Sequence, residues 1–438
     1  MFSELAAILA KLPINKNYAS ALLTGYGLNG VTIVVQLVLV PLYLNYLGTE
    51  KFGVLAMILA ANNFAAIGIG WLSGGIARVL GECAALNDSK SFKTGYAFAK
   101  WLYLLYISGA IIIFWVIAPI FIDNITHDNE IKTALILASI YLIFIYEYNA
   151  DRLAFSALHW QAKNNLREIV GQLVFAISGF AFLSSGFGLS SVIGAQILGI
   201  LVTRMLAWYY WRHNDWKLQW MLPTTDHKAL WHRVTGKMGR DYIIYGVLIL
   251  TLQADVLFLG WILGPETVAR YYLVWRIPEV IILLLWRIPG SYAPFLIDMD
   301  AKGEFGKLQK NYKKGLNIMF LLAGAAALLY GLVGQYFVNW WIGDMAPRAT
   351  FPYLVAAVAM FFLAVTRWPS TVAYSMLNTT PLIRITAVEL LAKLLILMLL
   401  FDKFDFITPI VATVIVHAFL VFYLYLALGM KTVRVKRL

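Results

Sequence analysis

One cysteine, Cys83, stands in a chain of 438 residues. A lone thiol cannot close an intramolecular disulfide or build a Cys-rich zinc site, and Cys83 reads as a small apolar residue near a helix end. Charge is scarce too. Asp, Glu, Lys and Arg make up 13% of the residues, where a soluble domain carries about 25%. An ordinary soluble fold is thereby excluded, because it would expose far too much apolar surface. No GxxxxGK[ST] occurs, so the phosphate cradle needed for ATP hydrolysis is missing. His127, His159, His213, His227, His232 and His417 show no HExxH or other metal-ligand spacing, and no cofactor is expected beyond a coupling ion, H+ or Na+. No loop is long enough for the nucleotide-sugar domain of a glycosyltransferase, so the chain is not expected to be an enzyme. The N-terminal MFSELAAILAKLPINKNYAS lacks a long apolar run followed by a cleavage site. It is expected to be retained, with Leu5, Ile8, Leu9 and Leu12 on one face of a short interfacial helix.

What is present is apolar: 61% of the residues, with mean hydropathy +0.74. A membrane helix needs about 20 mostly apolar residues to cross about 30 Å of hydrocarbon. Twelve stretches qualify, at 20–46, 52–83, 95–122, 133–158, 166–186, 189–211, 239–262, 268–297, 315–338, 350–376, 383–401 and 406–429. The fold class is therefore an all-α integral membrane protein of about twelve transmembrane helices. The connections on the side holding both termini carry 22 Lys and Arg, and those on the opposite side carry only Lys51, Lys132, Arg348 and Lys403. Because cytoplasmic loops retain basic residues, both termini are expected in the cytoplasm. The same asymmetry accounts for the net charge of +12 without any nucleic-acid partner.

The longest connection, 212–238, divides the spans six and six. An offset of 216 residues lays Leu47-Gly48-Thr49-Glu50 on Leu263-Gly264-Pro265-Glu266, Gly74 on Gly290 and Gly30 on Gly246. The expected organisation is an interfacial segment 1–19, a bundle 20–211, a linker 212–238, a bundle 239–429 and a basic tail 430–438. An even number of spans separates the halves, so they share one topology. The expected symmetry is a pseudo-two-fold axis along the membrane normal, with binding in a central cavity between the halves.

PLYLNYLGTEKFGVLAMI (41–58) and WLSGGIARVLGECAALNDSKSF (71–92) resemble the first two spans of Wzx-type lipid-linked oligosaccharide flippases. These belong to the multidrug/oligosaccharidyl-lipid/polysaccharide exporter superfamily. In layout the resemblance covers the whole chain. It implies a cationic, alternately opened cavity and an undecaprenyl-diphosphate-linked oligosaccharide as substrate, moved from the inner to the outer leaflet of a plasma (inner) membrane. It also implies a role in O-antigen or other envelope polysaccharide biosynthesis, beside a polysaccharide polymerase or assembly proteins. The family has no strict signature from which site residues can be transferred.

Ionisable residues inside spans are costly and usually face a cavity or a partner. Arg276 and Arg287 in the eighth span lie about 20° apart around a helix. They form a stripe suited to diphosphate oxygens, with kinks expected at Pro278 and Pro289-Gly290; alternatively, Arg276 pairs with Glu279 and Arg287 with a neighbouring helix. In the fourth span Glu147 and Asp151 share a face, as an ion-coupling pair would. The 216-residue offset sets Asp151 against Arg367, a candidate gate; alternatively, Asp151 neutralises Arg152 or Arg78. Asp255 has no local basic partner and is a further coupling candidate, as is Glu279, and Arg78 and Arg367 join the substrate-binding candidates; alternatively, Arg78–Glu82, like Glu389–Lys393, reads as a structural pair. Gln36 and Asn63, with Asn29 and Asn62, would bond sugar hydroxyls or neighbouring helices. Arg204 is expected to snorkel to the cytoplasmic surface. Trp208-Tyr209-Tyr210-Trp211 and Trp340-Trp341 read as interfacial belts. Two other functions stay open: a multidrug cation antiporter, which would need an acidic cavity, and a non-transporting membrane assembly subunit.

Overall fold

The computed structural model describes residues 16–122, 129–214, 216, 218, 230–232, 234, 246, 254–376 and 378–435. The segment 1–15, most of the connection 212–238, the start of the seventh span and the last three residues lie outside the described part. Among the described residues the chain is helical, with no strand. In order the helices are α1 (Lys16–Ala85), α2 (Ser89–Ile122), α3 (Asn129–Ala157), α4 (Gln161–Ser184) and α5 (Leu189–Arg212). After a helical stretch at 254–262 come α6 (Pro265–Ala301), α7 (Phe305–Ile342), α8 (Phe351–Ser375), α9 (Thr379–Phe404), α10 (Thr408–Val416) and α11 (Phe422–Val435). A π-helical turn, His417–Val421, joins the last two.

Among the described residues nine helical segments are long and apolar enough to cross a bilayer. α1 holds the first two predicted spans, broken at the non-helical Gly48, and the seventh lies mostly outside the described residues. The eleventh is helical, as α9, but Arg384, Glu389, Lys393 and Asp402 interrupt its apolar run.

By its contacts the chain groups into two units, Met1–Gly48 with Ala65–Tyr242, and Thr49–Phe64 with Ile243–Leu438. The exchange begins at Gly48, whose backbone (φ 76°, ψ 172°) is not helical. Those angles are open only to glycine without strain. Residues 49–64 then pack within the second unit. Phe52 meets Tyr272 edge to face at 5.3 Å, and Gly53 lies against the Pro265 carbonyl so closely that a Cβ would overlap it. The sequence reading had placed 49–64 wholly with the first six spans.

In the first unit Phe92, Phe98, Tyr103, Tyr146 and Phe155 form a buried core with Leu80 and Ile107. Helices α4 and α5 meet where Gly171 faces Gly199 and Thr203, with no room for a Cβ at Gly171. Such close backbone approach is the usual packing of membrane helices, which lack a hydrophobic drive toward one another. In the second unit Tyr271, Tyr330, Tyr353 and Met360 occupy the equivalent role, and Tyr330 donates to the Val274 carbonyl at 2.5 Å.

Candidate functional site

In the first unit three helices each contribute residues spaced to share a face. Tyr96 and Lys100 are four apart on α2, Glu147 and Asp151 are four apart on α3, and Arg204 and Trp211 are seven apart on α5. Helical spacing of this kind points each set the same way. Lys100 Nζ lies 3.3 Å from Glu147 Oε1 and 4.0 Å from Asp151 Oδ1. Arg204 Nη2 reaches Glu147 Oε2 at 2.6 Å. Trp211 Nε1 donates to Asp151 Oδ1 at 3.0 Å, and the Tyr96 hydroxyl donates to the same oxygen. Both carboxylates are thus engaged, two against two cations. That balance is what a low-dielectric site requires, since an unpaired buried charge costs several kcal/mol.

These groups line a cleft of about 920 Å³ together with Leu201, Met205, Trp208, Arg212 and Leu218. Arg212 is exposed and lies 5.0 Å over the Trp208 ring. With its charge the lining is net cationic, and three aromatic side chains stand beside the charges.

Several sequence expectations change here. The cation beside Asp151 is Lys100, which sequence reasoning passed over although a lysine inside YAFAKWLYL is itself the signal of a buried ion pair. Arg152 is exposed, and Arg78 pairs with Glu82 at 2.9 Å with 64% of its side chain exposed, a surface pair as expected. Arg204 is paired with Glu147 within the unit at 2.6 Å. The aromatic run divides: Trp208 and Tyr209 are exposed, as a belt requires, while Trp211 is 3% exposed and serves Asp151. Arg167, one of the 22 basic residues assigned to the connections on the side of the termini, is buried. Its guanidinium lies 4.3 Å over Phe155, and its Nη2 donates to Asn164 Oδ1 at 2.7 Å.

In the second unit Asp255 has a partner after all, 138 residues away. Lys393 Nζ donates to its Oδ2 at 2.8 Å, and Tyr271 donates to the same oxygen at 3.3 Å. Lys393 thus reaches from α9 to residue 255, a partner that the Glu389–Lys393 spacing did not indicate. Glu389 instead accepts from Tyr425 at 3.0 Å and faces His417 Nε2 at 3.5 Å.

Arg276 donates to Glu279 Oε2 at 2.6 Å and lies 5.2 Å over the Tyr272 ring, the local pairing that the sequence had left as an alternative. Arg287, further along α6, is exposed, and α6 stays helical across Pro278 and Pro289. Arg367 is half-buried on α8, 4.8 Å over the Trp286 ring. Gln36 is half-buried in the first unit, and Asn63 is exposed in the second.

No family model matches the chain, and no curated protein matches it. Solved structures do. An inward-facing multidrug resistance MATE family transporter of the MOP superfamily aligns at TM-score 0.66 with 12% identity, over 94% of this chain and 95% of that one. The lipid II flippase MurJ, in an inward closed conformation, aligns at TM-score 0.65 with 12% identity, over 95% and 91%. A MOP superfamily transporter from Pyrococcus furiosus, described as having a binding pocket of reverse polarity, aligns at TM-score 0.64 with 13% identity, over 95% and 96%. At this identity the likeness is one of architecture. The chain is an all-α membrane protein with the fold of the MOP superfamily transporters.

Proposed function

We propose that the protein is a flippase that moves an undecaprenyl-diphosphate-linked oligosaccharide from the cytoplasmic to the outer leaflet of the plasma membrane, by alternating access coupled to an ion gradient. The observation that carries this reading is the lining of the first-unit cleft. Its two carboxylates are already engaged by Lys100 and Arg204, so the charge left to meet a ligand is the exposed Arg212 beside Trp208. A cationic drug would find no unengaged carboxylate there. A diphosphate would find a guanidinium fork, and a sugar would find aromatic faces. The fold likeness to a lipid II flippase supports the same substrate class. Arg276, Arg287 and Arg367 remain candidates for further headgroup contacts in the second unit, and Gln36 and Asn63 for sugar hydroxyls. Polysaccharide polymerase or assembly proteins are the proposed partners downstream.

The test is flipping of a fluorescent undecaprenyl-diphosphate oligosaccharide in proteoliposomes. Arg212→Gln is expected to slow flipping roughly tenfold, as the loss of a hydrogen bond to a charged group would, while insertion and thermal stability stay unchanged. Efflux of a cationic dye, with no flipping of several glycans, would move the assignment to a multidrug cation antiporter.

A further inference from the structure

The two buried charge clusters differ in balance. In the first unit Lys100 and Arg204 meet Glu147 and Asp151, two cations for two anions. In the second unit Asp255, Glu389, Lys393 and His417 are 4%, 7%, 5% and 2% exposed. Lys393 answers Asp255 at 2.8 Å. Among the described residues Glu389 faces His417 and accepts from Tyr425.

The histidine's proton arithmetic follows from its two nitrogens. His417 Nδ1 lies 3.0 Å from the Thr413 carbonyl, which can only accept, so Nδ1 carries a hydrogen. A neutral ring then has a bare Nε2. That Nε2 makes no hydrogen bond and faces Glu389 Oε1 at 3.5 Å. A bare nitrogen opposite a bare carboxylate oxygen is two acceptors facing each other in a water-poor interior. One proton between them resolves the conflict, either as imidazolium against carboxylate or as carboxylic acid against imidazole. The same proton removes the negative charge that the pair carries.

We infer that the Glu389–His417 pair is a binding site for one exchangeable proton, and that this proton is the coupling ion of the transport cycle. Its role in coupling rests on the transport reading above; the site itself does not. On binding, a proton from solution is shared by Glu389 Oε1 and His417 Nε2, and the pair goes from one negative charge to none. On release, the proton returns to solution and the pair regains one negative charge.

The setting suits a group that must change state. His417 opens the π-helical turn His417–Val421, a local irregularity often found at functional positions. The groups around it are named by element. From α9 come Glu389 and Lys393, from α11 comes Tyr425, which donates to Glu389 Oε2, and from α10 comes the Thr413 carbonyl. From α8 come the Phe362 ring, 6.2 Å from the imidazole, and Arg367, whose charge acts on Tyr425. Asp255, whose Oδ2 accepts from Lys393, also has a buried Oδ1 without a hydrogen-bond partner. Among the described residues no three His, Cys, Asp or Glu side chains converge as a metal site. The Glu147–Asp151 pair, by contrast, is fully answered by cations and has no charge to give up.

The experiment is nitrogen NMR of the full-length, ¹⁵N-histidine-labelled protein in nanodiscs, with His417 identified by the signal lost in His417→Gln. At neutral pH the wild type is expected to show His417 Nε2 protonated or hydrogen-bonded, and to lose that state on alkalinisation. Glu389→Leu, which removes the carboxylate and offers no donor, is expected to return His417 to a neutral ring with a bare Nε2. The same neutral, bare spectrum in wild type and Glu389→Leu would overturn the site. In proteoliposomes, both variants are expected to lose stimulation of flipping by a pH gradient. Gradient stimulation that survives in both would overturn the coupling role. Absence of flipping with every glycan, alongside the expected spectra, would overturn the substrate reading and leave the proton site standing.

Discussion

Lys100 illustrates how much a single buried residue decides. Lys100→Met would leave Glu147 and Asp151 with Arg204 alone, and breaking a buried ion pair from one side costs about 3–5 kcal/mol. Scanning fluorimetry of the purified protein should show a large drop in Tm or failure to recover folded protein. Arg78→Ala, at a pair whose side chains are 64% and 41% exposed, should stay within about 1 kcal/mol of wild type; equal losses in the two variants would refute the network. Asp88, in the turn before α2, makes stability depend on pH. Its Oδ1 accepts from the Ser91 backbone N–H at 3.0 Å, and hydrogen bonds from Ser91 hold its carboxyl below the usual range. A lowered folded value means the contribution is present above the unfolded value and fades as pH falls through the folded one. The Tm gap between wild type and Asp88→Asn should therefore be open at neutral pH and close in acid. At this scale the sequence was legible wherever partners are four residues apart, as with Arg78–Glu82 or the shared face of Glu147 and Asp151. It was opaque for Lys100–Glu147 and Lys393–Asp255, because nothing local says which distant helix supplies the countercharge.

At the scale of elements, hydropathy located the spans, because the bilayer fixes helix length. It separated the first two at 47–51, and the non-helical backbone of Gly48 is where α1 breaks. It could not show that residues 49–64 would pack within the second unit. The consequence is measurable. Gly48 has open space around its Cα, so Gly48→Ala tests backbone strain without a clash, and residues held in such regions cost about 1–3 kcal/mol each. Gly74→Ala, also in open space but within helical backbone, should be neutral or slightly stabilising by up to about 1 kcal/mol. A comparable loss at both glycines would mean that Gly48 adopts helical angles in the bilayer. The exchange of residues 49–64 into the second unit escapes the 216-residue repeat, which sees sequence offset, whereas the grouping follows the contacts of Phe52, Gly53, Ala56 and Ala60 with the second unit's own helices.

For the whole molecule, the asymmetry of basic residues makes a claim about direction that the fold alone does not. Loops rich in Lys and Arg stay in the cytoplasm, and each positive charge carried outward opposes about 2.3 kcal/mol per 100 mV of membrane potential. Moving Arg167 from loop to buried core removes one charge from the basic side and leaves the bias intact. In a Cys83→Ala background, Leu86→Cys and Gly306→Cys sit at exposed positions among the basic connections. Ser185→Cys and Arg348→Cys sit at exposed positions on the opposite, lysine-poor side. An impermeant maleimide should label the first pair only in inside-out vesicles and the second pair only in right-side-out ones. The exposed Arg212 belongs to the first group of connections, so that labelling would set it where a diphosphate made in the cytoplasm arrives. The reverse labelling would place Arg212 at the outer face, where it could receive only a substrate already across the membrane, and the proposed direction of flipping would have to be abandoned.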